Sequence, residues 1–131
     1  MHSKNNIYTY TGAIHIHTTL SDGTKDVCEI AKIAKKCGLD FIIITDHNNL
    51  DVQEGDYDGL TVIKGEEISP SETNHYLALN INRVISAKIG VENYIKEVTN
   101  QNGFGFLHSK TKSKKTIEYC LENSEEKRFL T

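Results

Sequence analysis

Four short apolar runs in this chain each end on an imidazole or a carboxylate. Residues 7–16, rich in β-branched and aromatic side chains, close on His15-Ile16-His17. Phe41-Ile42-Ile43-Ile44 stops at Thr45-Asp46-His47-Asn48, and Leu60-Thr61-Val62-Ile63 runs into Gly65-Glu66-Glu67. Phe104-Gly105-Phe106-Leu107 ends at His108. A wholly apolar run of four suits a strand covered on both faces, as in a parallel sheet. Tyr76-Leu77-Ala78-Leu79 reads as a further strand, with His75 at its start.

Two amphipathic helices lie between these runs. Val27, Ile30, Ala31 and Ala34 recur at helical spacing, with Thr24 or Asp26 as N-cap, Glu29 completing a capping box with Asp26, and Gly38 beyond the end. Val91, Tyr94, Ile95 and Val98 mark the second, closed by Gly103. Residues 51–58 read as a polar loop, and Ile117, Cys120 and Leu121 as one more short helix. Strands alternating with helices define an α/β class, barrel-like or open and parallel, in which chemistry gathers at the C-terminal ends of the strands. His15, His17, His47, Glu67 and His108 sit near such ends. His75 is the exception.

At 131 residues the chain fits one domain. A net charge of −3 argues against a generic nucleic-acid or membrane-surface binder. Nothing apolar is long enough to span a bilayer, and the polar start Met1-His2-Ser3-Lys4 resembles no signal segment, so the cytoplasm is the expected compartment. Cys28, Cys37 and Cys120 are odd in number and widely spaced, which fits reduced thiols. Cys28 and Cys37 fall in helical pattern, where small buried or half-buried side chains are expected.

In a strand, residues two apart point the same way, so His15 and His17 would aim both imidazoles at one point. Singly, each polar feature has a plain reading. His-x-His is a weak motif, Ser21-Asp22-Gly23 is turn chemistry, Asp46-His47 caps a loop, Glu66-Glu67 is solvated charge and His75 is a surface histidine. Jointly those readings fail. Burying so many polar groups at one rim without a partner would cost several kcal/mol. Mixed imidazole and carboxylate donors suit zinc, manganese or iron better than magnesium or calcium.

The ordered segments Ile14-His15-Ile16-His17-Thr18-Thr19-Leu20-Ser21-Asp22-Gly23, Gly38-Leu39-Asp40-Phe41, Thr45-Asp46-His47-Asn48, Gly65-Glu66-Glu67-Ile68-Ser69 and Asn74-His75-Tyr76-Leu77-Ala78-Leu79 resemble the PHP (polymerase and histidinol phosphatase) domain. The doubled glutamate and following histidine are most similar to its stand-alone, CehA/McbA-type branch. The resemblance implies a distorted (β/α)7 barrel and up to three divalent metals, manganese, zinc or iron. His15 and His17 would bind the first, Glu67 would bridge to a second completed by His75 and His108, and Asp22 and His47 would serve the third. Asp46 and Glu66 would stand behind these ligands, Asp46 orienting an imidazole. The implied chemistry is hydrolysis of phosphate monoesters or nucleotide-like phosphoesters by a metal-bound hydroxide, with a small phosphorylated substrate as partner.

Two features depart from that pattern. The family carries a late Asp-x-His pair, whereas no histidine follows His108 here. Leu107-His108-Ser109 stands where the family reads x-Ala-His-Pro. Seven strand–helix units at about 30 residues each exceed this length, so the expectation is a single partial domain over 1–131, the N-terminal portion of the barrel, with 109–131 a poorly matched tail. Open edges of such a part-barrel would favour self-association. The alternative function is a truncated, catalytically impaired remnant that binds metal or a partner without turnover. An amidohydrolase-type barrel would need a metal-bridging lysine, for which Lys64 is a poor candidate.

Overall fold

The computed structural model describes residues 6–70 and 75–108. In chain order it contains strand β1 (Gly12–Ile16), helix α1 (Val27–Lys36), strands β2 (Phe41–His47), β3 (Gly55–Tyr57), β4 (Leu60–Ile68) and β5 (His75–Leu79), helix α2 (Val91–Asn100) and strand β6 (Phe104–His108). A short 3-10 turn, Ala87–Ile89, precedes α2. The strands make one curled, part-barrel sheet of order β1-β2-β4-β5-β6, with β3 paired to β4. The short helix expected over Ile117, Cys120 and Leu121 lies outside the described residues, as does Cys120 itself.

β1, β2 and β4 are parallel, as the apolar runs predict, but β5 is antiparallel to both β4 and β6. This reversal removes the His75 exception. A strand running backwards brings its first residue to the rim where its neighbours bring their last.

The first strand is shorter than its composition suggests. Ile7, Tyr8 and Tyr10 are 92%, 72% and 71% exposed, and pairing starts only where Gly12 meets Phe41, the first residue of β2. Thr11 and Asp40 exchange the last bonds before the ladder, each 2.7 Å. β-propensity without a partner strand does not make a strand. Conversely, residues 51–58 are not all loop. Asp58 (φ 54°) and Gly59 (φ 85°) form the two-residue turn of a β3–β4 hairpin, the left-handed pair that Asp-Gly favours.

Helix α1 forms as its caps dictate. Asp26 accepts from the Glu29 amide and Glu29 from the Asp26 amide, while Gly38 takes φ 79° just past the end. Its Ala31 and Ala34 pack on Ile42, Ile44, Leu60 and Val62 of β2 and β4. Helix α2 places Tyr94, Ile95 and Val98 against Ile68, Tyr76 and Ala78. Both helices therefore cover the sheet face taken by the even-numbered residues of β2, β4 and β5. By strand alternation the odd-numbered residues, including His47, Glu67 and His75, face the concave side. Cys28 and Cys37 are exposed free thiols, not buried ones, because each falls off the helix stripe that packs on the sheet.

Candidate metal centre

Glu67, near the end of β4, is the centre of the rim. Only 1% of its side chain is exposed, yet its carboxylate faces four imidazoles. Oε2 lies 3.1 Å from His15 Nε2, 3.1 Å from His17 Nε2 and 3.3 Å from His47 Nδ1, and Oε1 lies 2.5 Å from His75 Nδ1. The sheet explains the convergence. His47 is the register partner of Glu67 across the β2–β4 ladder, and His75 is that of His108 across β5–β6. The His108 ring stands 4.4 Å, centre to centre, from the ring of His15 on the opposite edge strand.

Simple alternation does not bring His15 and His17 together. His15 has φ 65°, the β1–β2 register shifts between Ala13 and Ile16, and His17 lies beyond the strand. A left-handed imidazole-bearing residue in a bulge is a strained arrangement of the kind that collects at functional sites. Here it turns both rings onto one carboxylate oxygen.

Asp22 completes the cluster from the loop after β1. It reaches His17 Nδ1 at 3.2 Å and His47 Nε2 at 3.4 Å. Asp46 holds that loop in place rather than orienting an imidazole directly. Its buried carboxylate accepts from the Thr18 amide (2.7 Å), the Thr18 hydroxyl (2.8 Å) and the Ser21 hydroxyl (2.6 Å). The loop turns back so tightly that Gly23 donates to the Thr18 carbonyl at 2.9 Å, and a Cβ at Gly23 would fall on the His17 carbonyl. Gly23→Ala is expected to displace Asp22, lower stability by about 1–3 kcal/mol through overpacking, and weaken metal binding, read by denaturant melts and metal titration.

Glu66 points to the other face. It is fully buried and accepts from the Ile85 amide at 2.9 Å, so it anchors the segment after β5 instead of supporting an imidazole. Burial pushes its carboxyl up to about 7, against the opposing effect of the Ile85 bond. Lys64, two residues earlier, shares that outward parity, which removes it as a bridging ligand.

The sequence reading passed over Ser69 as a site residue. Its hydroxyl donates to the Glu67 carbonyl at 3.0 Å, so it receives the His47 Nδ1 proton at 2.5 Å. That bond leaves His47 Nε2 as the lone-pair nitrogen facing Asp22. A hydroxyl two residues after a candidate ligand was the available signal.

Three of the donors, His17, Glu67 and Asp22, are shifted toward the form that binds cations. Burial lowers the His17 pKa, outweighing the Glu67 charge, and so favours the neutral imidazole. Burial would raise Glu67, but bonds to His15 and His75 and the nearby histidine charges pull it below the usual range. Desolvation likewise opposes ionisation of Asp22, and His47 and His17 overcome it. Three groups bring their donor atoms within 4.8 Å of one another: His15, His17 and Glu67; His17, Asp22 and His47; and His47, Glu67 and His75. Nitrogen and oxygen donors in this mixture fit divalent transition metals.

The PHP domain model matches residues 13–130. The chain belongs to the PHP domain family. A two-domain protein from Bacteroides vulgatus, described as containing a PHP-like metal-dependent phosphoesterase, has the same fold. It is 22% identical, with TM-score 0.56 over 74% of this chain and 34% of its own. A protein from Bifidobacterium adolescentis, described as a metal-dependent phosphoesterase, is 25% identical, with TM-score 0.45 over 69% of this chain and 32% of its own. The PHP chain described here thus spans about a third of the length of each. Among curated proteins none matches. No helix among the described residues is long and apolar enough to cross a membrane.

Proposed function

We propose that this PHP chain is a metal-dependent phosphoesterase acting on phosphate monoesters or nucleotide-like phosphoesters. The observation that carries the reading is one buried carboxylate, Glu67, ringed by four imidazoles from three separate segments. Family membership supports it, and the Glu66-Glu67 pair followed by His75 favours the stand-alone CehA/McbA-type branch. His15, His17 and Glu67 would hold one manganese, zinc or iron ion. Glu67, His75 and His108 would hold a second, and Asp22 and His47 a third. Bound divalent metals supply a lowered water pKa and neutralise phosphoryl charge. The chain's own groups set the frame. Ser69 keeps the proton on His47 Nδ1, Asp46 fixes the loop bearing Asp22, and Glu67 contributes a negative charge held away from solvent.

Arginine plays no part at the rim among the described residues, since Arg83 is exposed and paired with Glu97 at 3.0 Å. Among the described residues phosphate recognition would therefore fall to metals and lysines. Purified protein supplied with manganese is expected to hydrolyse a generic aryl phosphate, and His17→Ala to lower the rate by about 100-fold or more. Turnover indifferent to both chelator and that substitution would end the reading.

A second reading, metal binding without turnover, is favoured by Leu107-His108-Ser109 standing where the family resemblance expects x-Ala-His-Pro. Elemental analysis separates the two. Two or three metals per chain support the hydrolase, and one or none the remnant.

A further inference from the structure

A cleft of about 480 Å³ adjoins the candidate metal centre. Asn48, Ser69 and Pro70 form its near wall, and Val84, Ile85 and Lys88 its far wall. It shares Ser69 with the cluster, the residue whose hydroxyl takes the His47 proton. The volume falls within the roughly 300–1,000 Å³ occupied by small-molecule sites.

The far wall is held by buried polar side chains rather than lying there loosely. Glu66, the neighbour of Glu67 on β4, bonds the Ile85 amide at 2.9 Å. Gln101 at the end of α2 accepts from the Asn82 and Arg83 amides at 3.0 and 2.9 Å and donates to the Arg83 carbonyl at 3.2 Å. The strand that carries the central carboxylate therefore also fixes the cleft. On the near wall, Asn48 Oδ1 is committed to the Ser69 amide at 3.1 Å, which leaves its Nδ2 as a donor. Pro70, Val84 and Ile85 are apolar, and Lys88 is the one charged residue among the described lining.

We propose that this cleft is the leaving-group subsite, built for a small, flat, apolar group that carries a carboxylate facing Lys88. The proposal rests on the phosphoesterase reading above and names its substrate class. In the reaction a water oxygen bonds to phosphorus, the ester P–O bond breaks, and the water's protons are shared between the released hydroxyl compound and phosphate. The apolar walls bind the ring of the departing hydroxyl compound by burying its surface. Lys88 then selects for negative charge at its far end.

The test compares phenyl phosphate with 4-carboxyphenyl phosphate, and measures 4-hydroxybenzoate and phenol binding by calorimetry, using the full chain with manganese. Lys88→Glu is expected to raise KM for the carboxylated ester by about fivefold or more, the scale of one partly exposed ion pair. Its effect on phenyl phosphate should be several-fold smaller than on the carboxylated ester, and it should weaken 4-hydroxybenzoate more than phenol. Lys88→Gln should give the same pattern more weakly, and Lys96→Gln, on α2 outside the cleft, should give none. Equal effects on charged and uncharged ligands, or no 4-hydroxybenzoate binding, would overturn the proposal. Lys88-dependent binding without any turnover would uphold the cleft as a carboxylate-selective site while defeating the hydrolase reading.

Discussion

Glu67→Gln is expected to empty two of the three candidate metal positions and to cut manganese-dependent phosphoester hydrolysis by about 100-fold or more. Glutamine keeps the size and shape of the side chain but removes its charge and replaces one acceptor oxygen with a donor NH2 group. Glu67 belongs to two of the three donor groups, so its loss disarms both. Those imidazoles would face an amide whose nitrogen cannot accept or bridge. Asp22→Asn makes the instructive contrast. Asp22 is 67% exposed and belongs to one donor group, so its effect should be smaller and confined to one metal. Inductively coupled plasma analysis of the purified variants reads this directly. Wild-type metal content in Glu67→Gln would show that the buried carboxylate is not a ligand.

The pattern that offers Glu67 as a candidate ligand in the sequence also offers Glu66 beside it, yet Glu66 bonds the Ile85 amide on the other face. Both follow the same apolar run, and residue type alone cannot tell which of two adjacent carboxylates faces the concave side. Strand alternation sends them to opposite faces, but only the pairing of β4 with β2 decides which face carries His47. The parity of Leu60 and Val62, both buried against α1, already implied that Glu66 points toward the helices. Asp46 obeys the same parity one strand over, which is why its bonds go to the Thr18 loop and not to the neighbouring imidazoles.

Other elements were legible to different depths. The α1 caps were readable because Asp26, Glu29 and Gly38 act locally, within a few residues. The start of β1 was not, because whether residues 7–11 pair depends on where β2 begins, 29 positions later, as the Thr11–Asp40 bond shows. The reversal of β5 was hidden because period-2 patterning carries no strand direction. The β3 hairpin was signalled by Asp58-Gly59, a local cue outweighed by the acidic composition around it.

Removal of metal should lower the thermal midpoint by about 10 °C. A ligand at 100 times its Kd stabilises the folded state by about 2.7 kcal/mol, and each kcal/mol moves a domain of this size by about 4 °C. Topology makes so large a shift reasonable. His15 comes from β1 and His108 from β6, the two edges of the sheet, and their rings meet at the rim. Ions held by these imidazoles together with Glu67, His47 and His75 would tie all five strands of the main sheet path at one end. That is a cross-link between distant segments, and it opposes opening of the curled sheet. The shift should shrink on acidification, since protons compete for the ligand nitrogens. It should shrink in Glu67→Gln, which keeps only the His17, Asp22 and His47 donor group intact. Calorimetric scans with and without chelator decide the matter, because a midpoint unmoved by chelation would mean that strand pairing and the two helix-packed cores hold the sheet closed by themselves.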